Sequence, residues 1–253
     1  METAEHTKEA GHWYRKDGTP AYTIVGKNGK ERNTTLRDAR KEGLLPSVTS
    51  IIRCAAAPGL ELWKSQQVLM AALTTDRLPE ETEQQFIDRI IRDSQEQAMK
   101  ARERGTLIHA WVQGGFDGEP LNDEAVKYYE SAKAALDFAC LESPRWICEK
   151  AFAEERYGGK VDLHTEEGYI VDIKTTEKDL TNIKTWEEHS MQLAAYSMGV
   201  LGFLGACAIL YINILTAESK VIWLTEDEID KGWKMFSALV DFYYAKTKLG
   251  KEN

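Results

Sequence analysis

The sequence predicts an α/β protein: a helical N-terminal section, then a central mixed sheet flanked by helices. Three observations carry that expectation. Apolar residues recur at helical spacing through most of residues 47–141. From residue 145 the texture changes to short strand-like runs rich in branched and aromatic residues. The chain then closes in the order β-β-β-α-β-β-α, which suits a layered sheet with helices packed on it. With 253 residues, 43% of them hydrophobic, it is long enough for one large domain or two small ones.

Turn and cap residues justify each element in order. The first 45 residues are polar, and AYTIVG over 21–26 reads as a short strand followed by an Asn-Gly turn at Asn28-Gly29. Pro46-Ser47 predicts a helix start with Ser47 as the cap for VTSIIRCAAA. Pro58-Gly59 separates it from a second helix over 60–74. A long helical region follows Pro79 to about Val112, with Ala101, Gly105, Ile108 and Val112 in register. Another helix runs over 122–141 and ends before Pro144. Residues 145–175 read as strands, 185–201 as helix, 206–215 and 219–224 as strands, and 226–247 as helix. The expected organisation is therefore a polar, partly basic segment over 1–45, a helical section over 46–143 and a sheet-bearing core over 144–253.

Composition narrows the function classes. Lys+Arg number 32 against 41 Asp+Glu, for a net charge of −9, which excludes a generally basic nucleic-acid binder. The acidity is localised, with six acids and two bases in residues 80–96 and five acids and one base in 117–130. Residues 1–53 carry ten bases and seven acids, so a local basic groove is compatible with the total. Lys27, Lys30, Arg32, Arg37, Arg40 and Lys41 follow Trp13, Tyr14 and Tyr22. That mixture suits single-stranded nucleic acid as well as a solvated arm. Cys54, Cys140, Cys148 and Cys207 form no CxxC pair and read as reduced, mostly buried thiols. No secretory signal is visible at the polar start, and a cytoplasmic location is expected. The uncharged stretch Ser190–Ala217 reads as a helix and a buried strand rather than a membrane span, because glycines, Gln192 and Asn213 interrupt it.

The segment YGGKVDLHTEEGYIVDIKTT, residues 157–176, carries the chemistry. Glu166-Glu167-Gly168 fits a three-residue hairpin loop. The register it sets pairs His164 with Ile170, Asp162 with Asp172 and Val161 with Ile173. One face then collects Val161, Leu163, Val171 and Ile173, and the other Lys160, Asp162, His164, Ile170, Asp172 and Lys174. Opposed carboxylates repel, so the arrangement suits a hard divalent cation between them, with Lys174 alongside. A solvated outer face with Lys174 pairing either acid is the competing reading of the same residues.

Glu149…GlyGlyLysVal-Asp162…Val-Asp172-Ile173-Lys174, followed by Gln192-x-x-x-Tyr196, resembles the RecB-type branch of the PD-(D/E)XK nucleases. That branch includes phage exonucleases, mitochondrial genome-maintenance exonucleases and CRISPR-associated adaptation nucleases. The resemblance covers roughly residues 46–200 and takes in PSVTSII at 46–52 and Arg104-Gly105-x-x-x-His109. It implies a restriction-endonuclease-like core. It implies that Asp162, Asp172, the Ile173 carbonyl and His109 hold Mg²⁺ or Mn²⁺, and that Lys174 is the catalytic lysine. Gln192 and Tyr196 would line the site from one helix face. Glu149 matches the upstream acid of the branch, with Glu154 and Glu155 as competitors. Two departures stand out. Val161 replaces the proline of the name motif, and only Cys207 lies downstream, so no iron–sulfur cluster is expected.

The resemblance thus implies a metal-dependent nuclease, with an exonuclease of phage-type recombination or DNA processing as the leading form. Its partners would be single-stranded DNA or DNA ends and a recombination or single-strand-binding protein, with no membrane. Lys100, Arg102 and Arg104, just before His109, are candidate phosphate contacts. His164 reads as a neighbour of the acids, and His189 as a surface residue. The alternatives are a non-catalytic DNA-binding or assembly subunit and a partner-dependent endonuclease.

Overall fold

Caps and breakers set most helix boundaries. The computed structural model describes residues 12–26, 29–55, 58–140 and 144–250, so Asn28 of the expected Asn28-Gly29 turn and the first eleven residues lie outside the described residues. Thr35 and Asp38 form a capping box for α1 (Leu36–Glu42), an element the sequence reading did not resolve. Ser47 caps α2 (Val48–Ile52) as expected, its hydroxyl accepting from the Ser50 N–H at 3.0 Å. After α3 (Pro58–Thr74), Thr82 and Gln85 box the start of α4 (Glu83–Phe116), whose 34 residues give a rod of about 50 Å. Asn122 caps α5 (Asp123–Ala139). The positive φ of Gly202 ends α6 (Glu187–Leu201), and Thr225 with Glu228 opens α7 (Glu226–Thr247).

The sheet has five strands in chain order: β5 (Ile147–Ala153), β6 (Gly158–His164), β7 (Tyr169–Thr176), β8 (Ala206–Asn213) and β9 (Ser219–Trp223). Only β7 and β8 run parallel, joined by the α6 crossover, so the sheet is mixed. Before it lie two small antiparallel pairs. β1 (Trp13–Tyr14) pairs with β4 (Leu45–Pro46), and β2 (Thr23–Val25) with β3 (Glu31–Asn33). A bridge from Ser47 to Gly158 ties the first pair to the start of β6. Trp13 and Tyr14 are buried by this packing, so neither is available as a stacking platform.

Each sheet face is covered by its own core. On one, Val161, Ile170 and Ile209 pack with Val48 and Ile51 of α2, Leu193 and Ala194 of α6, and Phe236 of α7. On the other, Leu163, Val171, Ile173 and Leu210 pack with Ile108 and Val112 of α4 and Ala132 and Leu136 of α5. These largest buried side chains are fully enclosed, each contributing roughly 1.5–3 kcal/mol of burial. The uncharged Ser190–Ala217 stretch resolves into α6 and the buried strand β8. Among the described residues no helix is long and apolar enough to cross a membrane.

The expected hairpin register holds at its closed end and fails at its open end. Leu163↔Val171 and His164↔Ile170 pair as the sequence predicts, and Gly168 takes the positive φ of the turn. The ladder stops there, because the Asp162 carboxylate takes the Ile173 N–H through Oδ2 at 2.8 Å. The strands therefore fork at Asp162. The expected single apolar face is corrected accordingly: Val161 joins the α6-side core, while Leu163, Val171 and Ile173 join the α4-side core.

Candidate active site

The fork lets both helical layers reach the same carboxylates. From the α6 layer, Gln192 Nε2 donates to Asp172 Oδ1 at 2.7 Å and to the Tyr196 hydroxyl oxygen at 3.0 Å. Lys174 Nζ donates to Gln192 Oε1 at 3.1 Å and stands 2.7 Å from Asp172 Oδ2. Both ends of the Gln192 amide are thus committed, which fixes its orientation. Asp172 is only 3% exposed, and its Oδ2 accepts no well-directed hydrogen bond despite the nearby ammonium.

From the opposite layer, α4 brings His109 Nδ1 to 3.8 Å from Asp162 Oδ2. The absence of a side chain at Gly105 makes that approach possible. A Cβ there would lie 2.6 Å from Thr175 Oγ1, so the helix crosses β7 closely one turn before His109. Gly159 performs a similar service for Tyr196, whose ring edge would stand 3.0 Å from an added Cβ.

Glu149 lies beside Asp162 on the neighbouring strand β5. Its flanking pairs, Cys148↔Leu163 and Lys150↔Val161, set it opposite Asp162, but it drops out of the ladder with φ +55. A positive φ at a non-glycine residue stores about 1 kcal/mol or more, and an ion pair with Lys160 holds the side chain in place. Glu154 and Glu155 are instead exposed at the β5–β6 turn.

Burial and mutual repulsion set the electrostatics. Burial, reinforced by the Asp172 charge, pushes the Asp162 carboxyl up, only partly offset by the Ile173 N–H. Burial acts to lower Lys174, but the Asp172 and Asp162 charges outweigh it and hold the group up, as an ammonium. Burial lowers His109 against the opposing pull of Asp172, so its imidazole is biased toward neutral. Tyr196 is raised by burial and then by both aspartates, and it stays a phenol.

The structure brings together Asp162, Asp172, Lys174, Gln192 and Tyr196, with His109 and Glu149 at the margins. The basic trio divides. Lys100 pairs with Glu96 on its own helix at 2.9 Å, and Arg102 is exposed. Arg104 is used internally, bonding Glu124 and the Tyr128 hydroxyl while lying 5.0 Å over the Trp111 ring.

The donor set of two carboxylates, a neutral imidazole and a backbone carbonyl is mainly oxygen. It suits a hard cation, which needs only one or two carboxylates beside waters and phosphate oxygens. Asp172 Oδ2, which faces the Lys174 ammonium at 2.7 Å, is the carboxylate oxygen that would turn to such an ion. Among the described residues, no three His, Cys, Asp or Glu side chains form a closed cage. His109 stands off from Asp162, and Asp172 is turned toward Lys174.

Sequence reasoning missed His189. It was read as a surface residue, yet it is half-buried, and the Lys174 and Asp172 charges both act on it. Its position three residues before Gln192, on the same helix face, is the signal that could have found it.

Comparisons with protein-family models and with curated proteins found no match. The solved structures similar to the chain include the following two. A "Putative exonuclease" from Eubacterium rectale matches at TM-score 0.42 and 16% identity, covering 59% of this chain and 69% of its own. SSO0001 matches at TM-score 0.32 and 14% identity, covering 71% and 86%. Both likenesses are distant.

Proposed function

We propose that this chain is a metal-dependent deoxyribonuclease of the RecB type, acting as an exonuclease on DNA ends or single strands. The observation that supports this best is the linked set Asp172–Lys174–Gln192–Tyr196 facing Asp162 across the fork. In this reading Asp162, Asp172, the Ile173 carbonyl and His109 hold Mg²⁺ or Mn²⁺. The bound ion supplies charge stabilisation at the phosphoryl group and a more acidic attacking water.

The protein's own residues do the rest. Lys174, as an ammonium, donates rather than accepts a proton, so it orients the attacking water and offsets charge developing on the phosphate. Gln192 fixes the Asp172 carboxylate and the Lys174 ammonium with one amide, and Tyr196 anchors that amide. Burial by both layers excludes bulk water from Asp172. Phage-type recombination or DNA processing is the proposed setting, in the cytoplasm and alongside a single-strand-binding or recombination protein.

The test is incubation of end-labelled linear and circular single-stranded DNA with Mg²⁺. Wild-type protein shortens the linear DNA and spares the circle, while Asp172→Asn and Lys174→Ala lose about 10²–10³-fold in rate. Equal activity in those variants sinks the site assignment. A cut circle indicates an endonuclease, and binding without cleavage indicates a non-catalytic DNA-binding subunit.

A further inference from the structure

His189 is tied down at one ring nitrogen and open at the other. The Trp186 backbone N–H donates to Nδ1 at 3.2 Å. The Tyr211 hydroxyl, 3.3 Å from the same atom, bonds the Lys184 carbonyl at 2.9 Å. A backbone N–H can only donate, so Nδ1 must be the acceptor and a neutral imidazole carries its proton on Nε2. Burial, then the Lys174 charge, lowers this histidine and favours that neutral form. Among the described residues no protein acceptor for Nε2 is present.

The placement is specific. Lys174 and Tyr211 are direct partners on β7 and β8, and His189 packs against Tyr211 with ring centroids 6.2 Å apart. One turn along α6, Gln192 receives Lys174 Nζ. His189 therefore lies beyond Lys174, on the far side of the fork from His109 and Glu149. The two histidines differ in kind. His189 cannot ligate a cation through Nδ1, which is filled, nor through Nε2 while that atom keeps its proton. A fixed neutral N–H donor beside an ammonium matches an anionic oxygen instead.

We propose that His189 is a substrate-backbone contact, its Nε2–H donating to a phosphate oxygen of the DNA strand held beside Lys174. This rests on the nuclease reading above and deepens it. The residue fixes where the strand sits relative to the scissile bond and performs no proton transfer itself.

The test separates the two ring nitrogens. His189→Asn keeps an acceptor near the Nδ1 position and loses the distal donor, whereas His189→Gln places an amide N–H near the Nε2 position. Binding of a single-stranded oligonucleotide is measured in Ca²⁺, without turnover, while single phosphates are replaced in turn by uncharged methylphosphonates. Wild type is expected to lose about tenfold in affinity at one position. His189→Asn should bind the unmodified strand about tenfold more weakly and show no further loss at that position, and His189→Gln should recover most of the difference. A His189→Asn protein that keeps the full wild-type pattern of phosphate sensitivity overturns the proposal. Wild-type protein that neither binds nor cleaves DNA overturns the nuclease reading instead.

Discussion

On the α6 side of the fork, Asp172, Lys174, Gln192 and Tyr196 are joined by contacts of 2.7–3.1 Å. On the α4 side, His109 Nδ1 stands 3.8 Å from Asp162, and Glu149 is held off the ladder by its own backbone and by Lys160. The first half is a closed hydrogen-bonded set in which each member fixes another. The second consists of groups held near one another, two of them biased toward losing their charge by burial. The difference separates a preorganised half, which keeps its geometry unaided, from a half whose geometry a bound cation would complete.

That contrast is broken most severely through Gln192. Gln192→Ala leaves the buried Asp172 and the half-buried Lys174 without their shared partner, and should cost about 1–3 kcal/mol of stability in addition to activity. Chemical denaturation in chelator measures the first and the cleavage assay the second. His109→Ala should behave differently. Its melting temperature in chelator should fall less than that of Gln192→Ala, because at 3.8 Å no close hydrogen bond to Asp162 is lost, while the metal-supported rate falls about 10–100-fold. A His109→Ala protein as unstable as Gln192→Ala would erase the distinction between the two halves.

A smaller effect follows from pH. Asp162 is raised in the folded protein, so the native state keeps a proton that the unfolded chain has already released. In chelator its contribution to stability therefore falls as pH rises from the ordinary aspartate range to the raised value, and is level above it. His109, being lowered, contributes with the opposite slope. The clean readout is thus the difference between Asp162→Asn and wild type. The variant should gain in melting temperature relative to wild type as pH rises, and Mn²⁺ should abolish that gain by stabilising the wild-type carboxylate.

The sequence was legible where a local rule fixed the outcome. Ser47 caps α2 as its side-chain chemistry requires, and Gly168 sets a hairpin whose first two pairs follow the expected register. It was not legible where a side chain displaced a backbone partner. Nothing in the alternation of residues 158–176 shows that the Asp162 carboxylate takes the Ile173 N–H, and that one bond opens the fork and sends Val161 to the other core. The positive φ of Glu149 was equally hidden, since glutamate carries no local preference for that conformation. Arg104 looked like a phosphate ligand because charge alone was visible, and its packing between Glu124, Tyr128 and Trp111 required the fold.

The measurement that reaches the central claim most directly is calorimetric titration of the wild-type chain with Mn²⁺, beside Asp172→Asn and His109→Ala. The account predicts binding by wild type, binding weakened about tenfold in His109→Ala, and none in Asp172→Asn. Wild-type protein that takes up no Mn²⁺, or an Asp172→Asn protein that binds it as tightly as wild type, would contradict it.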